Sequence, residues 1–307
     1  MRVQMRNSEL GSMDEIRLGQ NNVLESASSE VISANVEMYR CHGKSYDQMW
    51  GSSFGPSLDA TLQSDLDRIA GNYSGSPEGL RCLDCGAGTG AVTLSMLARG
   101  WSVTAIDVSP DMLELLKNKI AARKLNGATL INEPAERFLA SEGPTYHLIA
   151  FNSVLHHIYK YRAVVSLAAD HLVPGGFLYT NVDRVMPSIP AVAEFLDSLD
   201  TILAKLSYER SDLIPGTIRR VRKFFGRTDP TYRRKIASVG DLAEFHARSG
   251  VDDIDLVRLL KQKGLGIVEH SRYPLARTGV GKHLNGLLKF REEFKIIAQK
   301  KAPRARE

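Results

Sequence analysis

Three glycines within five residues, in the run Leu83-Asp84-Cys85-Gly86-Ala87-Gly88-Thr89-Gly90, constrain this chain more than any other feature. The run closes a short apolar stretch, Leu80–Cys85, and opens a helical stretch that reaches Gly100. Glycine at a strand-to-helix bend supplies positive φ angles and lets the backbone approach a ligand closely. The start of the helix offers that ligand free N–H groups. The next apolar run ends in Asp107, 17 residues after Gly90. A carboxylate there can accept hydrogen bonds from both ribose hydroxyls of an adenosine. With Ala91 the bend also satisfies the dinucleotide pattern G-x-G-x-x-A. It therefore points to an adenosine cofactor without saying which one. Asp84, directly before the first glycine, helps to divide the candidates: it suits a cationic amino-acid tail and repels a pyrophosphate.

The rest of the chain alternates strand and helix, which implies parallel βαβ units. Strands are expected at Ser102–Val108, Ala128–Asn132, His147–Ser153, Phe177–Val182, Gly266–Tyr273 and Phe294–Gln299. Leu58, Leu62, Leu66 and Ile69 mark one face of a helix across residues 57–71. Ser109-Pro110-Asp111 starts a helix with an N-cap, a proline at its first position and an acid near its positive end. Further helices are expected at Val164–Leu172, stopped by Pro174-Gly175-Gly176, and at Asp253–Lys263 with Gly264 at its C-cap. Four segments follow: a loosely attached stretch 1–30, a helical cap 31–79, an α/β domain from 80–185 and 251–302, and a mainly helical insert 186–250.

Cys82 and Cys85 form a C-x-x-C, but residues three apart on a strand face opposite ways, so the thiols diverge. Three cysteines in all, Cys41 included, suit a reducing compartment, and no metal is expected. No apolar leader or membrane span is visible, and a cytoplasmic location is expected.

Five pieces in order resemble the class I S-adenosylmethionine methyltransferases. They are Leu83-Asp84-x-Gly86-x-Gly88-Thr89-Gly90, Ile106-Asp107-Val108-Ser109-Pro110-Asp111-Met112-Leu113, Pro134-Ala135-Glu136, Val154-Leu155-His156-His157-Ile158 and Leu172-Val173-Pro174-Gly175-Gly176. The resemblance covers residues ~80–183 and ~253–300. It implies a doubly wound, Rossmann-like α/β fold with a seven-stranded, mostly parallel sheet. One antiparallel strand, Phe294–Gln299, would lie beside Phe177–Val182. It implies S-adenosylmethionine as cofactor and S-adenosylhomocysteine as product. Asp84 and Gly86 would lie by the methionine portion, and Gly88 and Gly90 would let it pass. Asp107 would hold the ribose, Val108 and Met112 would flank the adenine, and Ala135 would meet its edge. Asn152 would line the cofactor near the sulfonium. Two positions depart from the family. Pro134 stands where an acid is common, so Glu133 or Glu136 would have to reach the adenine amine. His147 stands where an aspartate is common, which puts one local hydrogen bond in question.

Methyl transfer needs alignment above all, and a base only where the nucleophile must lose a proton. His156 and His157 follow the fourth strand at the edge where ligands bind, and either is a candidate base. Asp183 and Asn181, at the end of the fifth strand, are expected to face the same edge. Among Tyr39, Tyr46 and Trp50, Tyr46 matches best the tyrosine with which related N-terminal segments meet the methionine end.

The formal charge of +5 permits an acidic partner without demanding one. Its most basic stretch, residues 217–235, interleaves Arg219, Arg220, Arg222, Lys223, Arg227, Arg233, Arg234 and Lys235 with Phe224, Phe225 and Tyr232. A solvated helix face, an anionic small acceptor and single-stranded RNA all fit that pattern. By resemblance the insert lies where small-molecule methyltransferases carry a substrate lid. The leading expectation is therefore a small-molecule methyl acceptor. RNA methylation and non-catalytic S-adenosylmethionine binding stand as alternatives, and the oligomeric state is unread.

Overall fold

The computed structural model describes residues 27–40, 56–73, 79–187, 250–274 and 292–302, together with residues 75, 242, 243, 246, 283 and 287. Tyr46, Trp50 and the basic cluster 217–235 lie outside them. Helix α1 covers residues 27–40, reaching back into the stretch read as loosely attached. Helix α2 is Pro56–Asn72, and it buries Leu62, Leu66 and Ile69 on the face that their spacing marks. Then β1 (Arg81–Cys85), α3 (Ala91–Leu97), β2 (Ser102–Asp107), α4 (Pro110–Ala122) and β3 (Ala128–Asn132) follow in turn. The chain continues through α5 (Ala135–Ala140), β4 (Tyr146–Asn152), a 3-10 turn (Leu155–His157), α6 (Tyr161–Asp170) and β5 (Leu172–Arg184). After the insert come α7 (Asp253–Gln262), β6 (Leu265–Pro274) and β7 (Glu292–Lys300).

All seven strands join one sheet in the order β3-β2-β1-β4-β5-β7-β6. Strands β1 to β5 pair in parallel, and β7 runs antiparallel to both β5 and β6. The expected strand Phe294–Gln299 is the centre of β7, and it lies beside β5 as anticipated. The order turns back between β1 and β4, which opens a crevice at the carboxyl ends of those strands.

Strand alternation sorts the core into two layers. Leu83, Cys85, Ile149 and Phe151 pack against α5, α6 and α7. Cys82, Val103, Ala105 and Tyr179 pack against α2, α3 and α4. The two thiols of the C-x-x-C thus enter opposite layers, each buried and pushed well above the ordinary thiol range by burial. Each fully buried aliphatic side chain, such as Leu66, contributes roughly 1.5–3 kcal/mol.

One boundary differs from expectation. Helix α6 stops at Asp170, not at the Pro174-Gly175-Gly176 run. Leu172 is already paired with Tyr146 of β4, so sheet pairing ends the helix before the proline can. Pro174 falls where the register shifts between Tyr146 and Leu148, at an irregularity that suits a residue with no N–H to donate.

Candidate active site

Three neighbouring strands carry a left-handed residue at or near their carboxyl ends. Gly86 follows β1 at φ 71°, Ser153 follows β4 at φ 56°, and Val182 interrupts β5 at φ 63°. The left-handed turns splay the chain outward from the crevice, and a cavity of about 740 Å3 opens there. Asp84, Gly86, Gly88, Gly90, Asp107, Val108, Met112, Ala135, Glu136 and Asn152 all line it. Tyr46 lies outside the described residues.

The glycine bend is held from behind. The N–H groups of Gly86 and Ala87 donate to the Ile106 carbonyl at 2.9 and 3.0 Å. A Cβ on Gly86 would stand 2.2 Å from Val154 Cγ2, so only glycine fits. A Cβ on Gly88 would point into open space. That is the cradle a ligand would fill.

Two buried carboxylates flank this cradle. Asp84 accepts a hydrogen bond from Thr93 Oγ1 at 2.6 Å, and burial pushes its pKa up to about 6. Asp107 accepts from the Gly88 N–H through Oδ2 and from the Ser109 N–H through Oδ1, each at 2.8 Å. Burial raises it as well, against those hydrogen bonds. A carboxylate offers about four lone-pair sites, so capacity remains for a ligand's hydroxyl. Ser109 caps α4 through the Met112 N–H, placing Met112 under the same cavity. Glu133 and Glu136 both line the cavity near Pro134. Burial raises Glu136, which also takes a hydrogen bond from Ser28 of α1.

The opposite end is roofed by α1. Ile32, Asn35 and Tyr39 line the cavity from one helix face. Tyr39 Oη lies 3.0 Å from His157 Nε2, and His157 Nδ1 lies 2.8 Å from the Ala243 carbonyl. A carbonyl can only accept, so Nδ1 carries the proton in neutral His157 and Nε2 presents a lone pair to the Tyr39 hydroxyl. The ring is thus set as a base whose basic nitrogen faces the roof of the cavity.

His156 and Asp183 require a correction. Neither lines the cavity. Instead they pair with each other, Nδ1 to Oδ1 at 2.7 Å, and Asp183 also accepts the His156 backbone N–H at 3.1 Å. The cause is a β-bulge. Asn181 pairs with Lys295 and Asp183 with Phe294, so Val182 is an extra residue. It reverses the alternation. Asp183 joins Thr180 on the layer beneath His156, while Asn181 stays with Tyr179 and faces the cavity. The bulge is fastened by Tyr273, which accepts the Val182 N–H at 3.2 Å and donates to Asn181 Oδ1 at 2.6 Å. A β-branched residue in the left-handed region costs of order 1–3 kcal/mol.

Residues 83–178 match the family described as methyltransferase domain. The chain is 31% identical over 131 residues to tRNA 5-carboxymethoxyuridine methyltransferase of Escherichia coli (strain K12), covering 42% of this chain and 49% of that one. It is 26% identical over 176 residues to ubiquinone biosynthesis O-methyltransferase of Xylella fastidiosa (strain M23), covering 55% and 69%. Magnesium protoporphyrin IX methyltransferase of Synechocystis PCC 6803, solved with bound SAH, superposes with a TM-score of 0.52 at 16% identity. The overlap covers 88% of this chain and 99% of that one, and shows a shared fold. Residues 83–178 thus carry a methyltransferase domain, on a fold shared with a solved methyltransferase. The chain spans about half the length of the tRNA methyltransferases that it matches.

In this chain the two departures from the family pattern are accommodated differently. His147 restores a local bond by accepting the Arg81 N–H through Nδ1 at 2.9 Å. Near Pro134 both Glu133 and Glu136 line the cavity. Four lining or supporting residues escaped sequence reasoning. Ile32 and Asn35 share with Tyr39 a spacing of three and four, a helical signal that could have grouped them. Thr93 and Val182 carry no such signal. Among the described residues no cluster of His, Cys, Asp and Glu could hold a metal ion, and no helix is long and apolar enough to cross a membrane.

Proposed function

We propose that this chain transfers a methyl group from S-adenosylmethionine to a small-molecule acceptor. One observation carries the reading. A single cavity joins the cradle between Asp84 and Asp107 to the His157–Tyr39 pair. The cofactor fits the residues present. Gly88 leaves open space where its body would lie, Asp84 suits its ammonium, and Asp107 suits the ribose hydroxyls. When bound, the cofactor supplies a methyl group made electrophilic by its sulfonium. The chain supplies the rest. Asp84 and Asp107 hold the cofactor at both ends, Val108 and Met112 hold the adenine, and the α1 roof limits water. His157, through the Tyr39 hydroxyl bonded to its Nε2, takes the acceptor's proton where the acceptor has one to lose. His156 and Asp183 act from behind, as a buried pair that holds the His156-His157 turn.

A cavity of about 740 Å3 suits a cofactor with a modest acceptor. Among the described lining residues the lysine and arginine, Lys119 and Arg123, lie on and just after α4, with Lys119 bonded to the Thr89 carbonyl. The RNA reading retains one support, the resemblance to a bacterial tRNA methyltransferase. Activity on tRNA that falls steeply with salt would favour it over a small acceptor.

Isothermal titration calorimetry with S-adenosylhomocysteine tests the reading. The wild-type chain should bind it, and Asp107→Ala should weaken binding on the order of 10²-fold, since charged hydrogen bonds contribute about 1.5–3 kcal/mol each. No binding by the wild type, or binding of NAD in its place, would overturn it.

A further inference from the structure

Val182 is the least comfortable residue of the site. It is β-branched, it sits at φ 63°, and it lines the cavity. Glycine or asparagine would occupy that backbone with less strain. Ser153, equally left-handed, stands beside it, its N–H donating to the Asn181 carbonyl at 2.8 Å. The strain is held in place by Tyr273, whose Oη accepts the Val182 N–H while its own hydrogen goes to Asn181. Tyr273 arrives from β6, two strands away in the sheet. The bulge that carries Val182 is thus fixed by a residue remote in sequence, and its product is a branched apolar side chain on the cavity wall. Val154, Ile158 and Ile32 continue that apolar lining toward the His157–Tyr39 pair.

A base with a preset basic nitrogen serves an acceptor that must lose a proton. A carboxylate is already ionised near neutrality and has no need of one. A phenolic hydroxyl, with a pKa near ~10, has that need. Resting on the methyltransferase reading above, we infer that Val182 sets the width of the acceptor end, and that the group admitted is a hydroxyl on an apolar scaffold, as in a phenol. The acceptor's O–H bond breaks and its proton passes to the Tyr39 oxygen as the Tyr39 hydroxyl hydrogen passes to His157 Nε2. The acceptor oxygen's lone pair forms the new O–CH3 bond. The electrons of the old S–CH3 bond return to sulfur, leaving a neutral thioether, and the imidazolium releases its proton to solvent. Val182 crowds substituents next to the reacting hydroxyl.

The test is transfer of tritiated methyl from S-adenosylmethionine by the full chain to phenol, 2-methylphenol and 2-tert-butylphenol, with benzoate and benzylamine alongside. The wild type should favour phenol over 2-tert-butylphenol at least tenfold in kcat/KM. Val182→Gly should shrink that ratio at least fivefold, with the melting temperature unchanged or raised. Tyr273→Phe, which frees the bulge, should shrink it too, whereas a merely structural loss would slow all three phenols alike. Calorimetry with S-adenosylhomocysteine runs in parallel on every variant. Normal binding with no transfer to any phenol, with faster transfer to benzoate or benzylamine, or with an unaltered ratio in Val182→Gly overturns the inference and leaves the cofactor reading standing. Absent binding by the wild type overturns both.

Discussion

Asp84 allows the sharpest test of the cofactor site. It is buried, bonded to Thr93, and held up to about 6 by burial. A ligand whose ammonium rests against it requires the carboxylate form. Above pH 6 that form is already present, and affinity should be flat. Below pH 6 each binding event must first strip a proton, so affinity falls. One pH unit below the pKa is worth about 1.4 kcal/mol, or tenfold. The dissociation constant for S-adenosylhomocysteine should therefore rise about tenfold between pH 7.5 and pH 5. Titrations near pH 6 in buffers of differing ionisation enthalpy should show about half a proton released per ligand bound. Asp107 and Glu136 are raised by burial too and can steepen the slope. Asp84→Asn separates them, because it keeps the acceptor for Thr93 and removes the titration. Affinity independent of pH in the wild type, or an undiminished slope in Asp84→Asn, would refute the placement of the ammonium beside Asp84.

Gly86→Ala should destabilise the chain by roughly 2–4 kcal/mol, from a Cβ pressed on Val154 and a left-handed backbone together. Urea unfolding checks it, and adding Val154→Ala should recover only part of the loss, since the backbone term remains. Asp183→Ala should cost about 2–4 kcal/mol by leaving the His156 N–H and ring nitrogen without their acceptor. In that variant S-adenosylhomocysteine should still bind within about twofold of wild type, because Asp183 lies outside the cavity.

The cofactor half of the site was legible because its residues are chosen for backbone reasons. Gly86 and Gly88 stand where a side chain would clash or fill the cradle, and Asp107 stands at a strand end that alternation locates. The acceptor half was not. Asp183 and Asn181 are two apart, and regular pleating would put them on one face. The bulge that parts them rests on Val182, a residue with no propensity for the left-handed region, and on Tyr273, 91 residues further on. No local pattern reports a tertiary hydrogen bond. The C-terminal edge of α6 was missed for a related reason: pairing of Leu172 with β4 overrides the breaker that begins two residues later.

The site is built at a cost that folding alone does not repay. Raising Asp84 from 3.8 to about 6 means that the folded chain binds that proton more tightly than the unfolded one. Stability therefore falls as pH rises through that window, by up to about 3 kcal/mol above pH 6. The left-handed Val182 adds a backbone cost of its own. Both costs are met before any ligand arrives, so neither the carboxylate nor the bulge has to reorganise when it does. A cationic ligand removes the first cost by neutralising Asp84, and ligand at a hundred times its dissociation constant adds about 2.7 kcal/mol of stability. It follows that the thermal shift produced by S-adenosylhomocysteine should be larger at pH 7.5 than at pH 5. Asp84→Asn should start from a higher melting temperature and gain little from the ligand at either pH. A variant that began lower and still gained fully would mean that Asp84 serves the fold and not the cofactor.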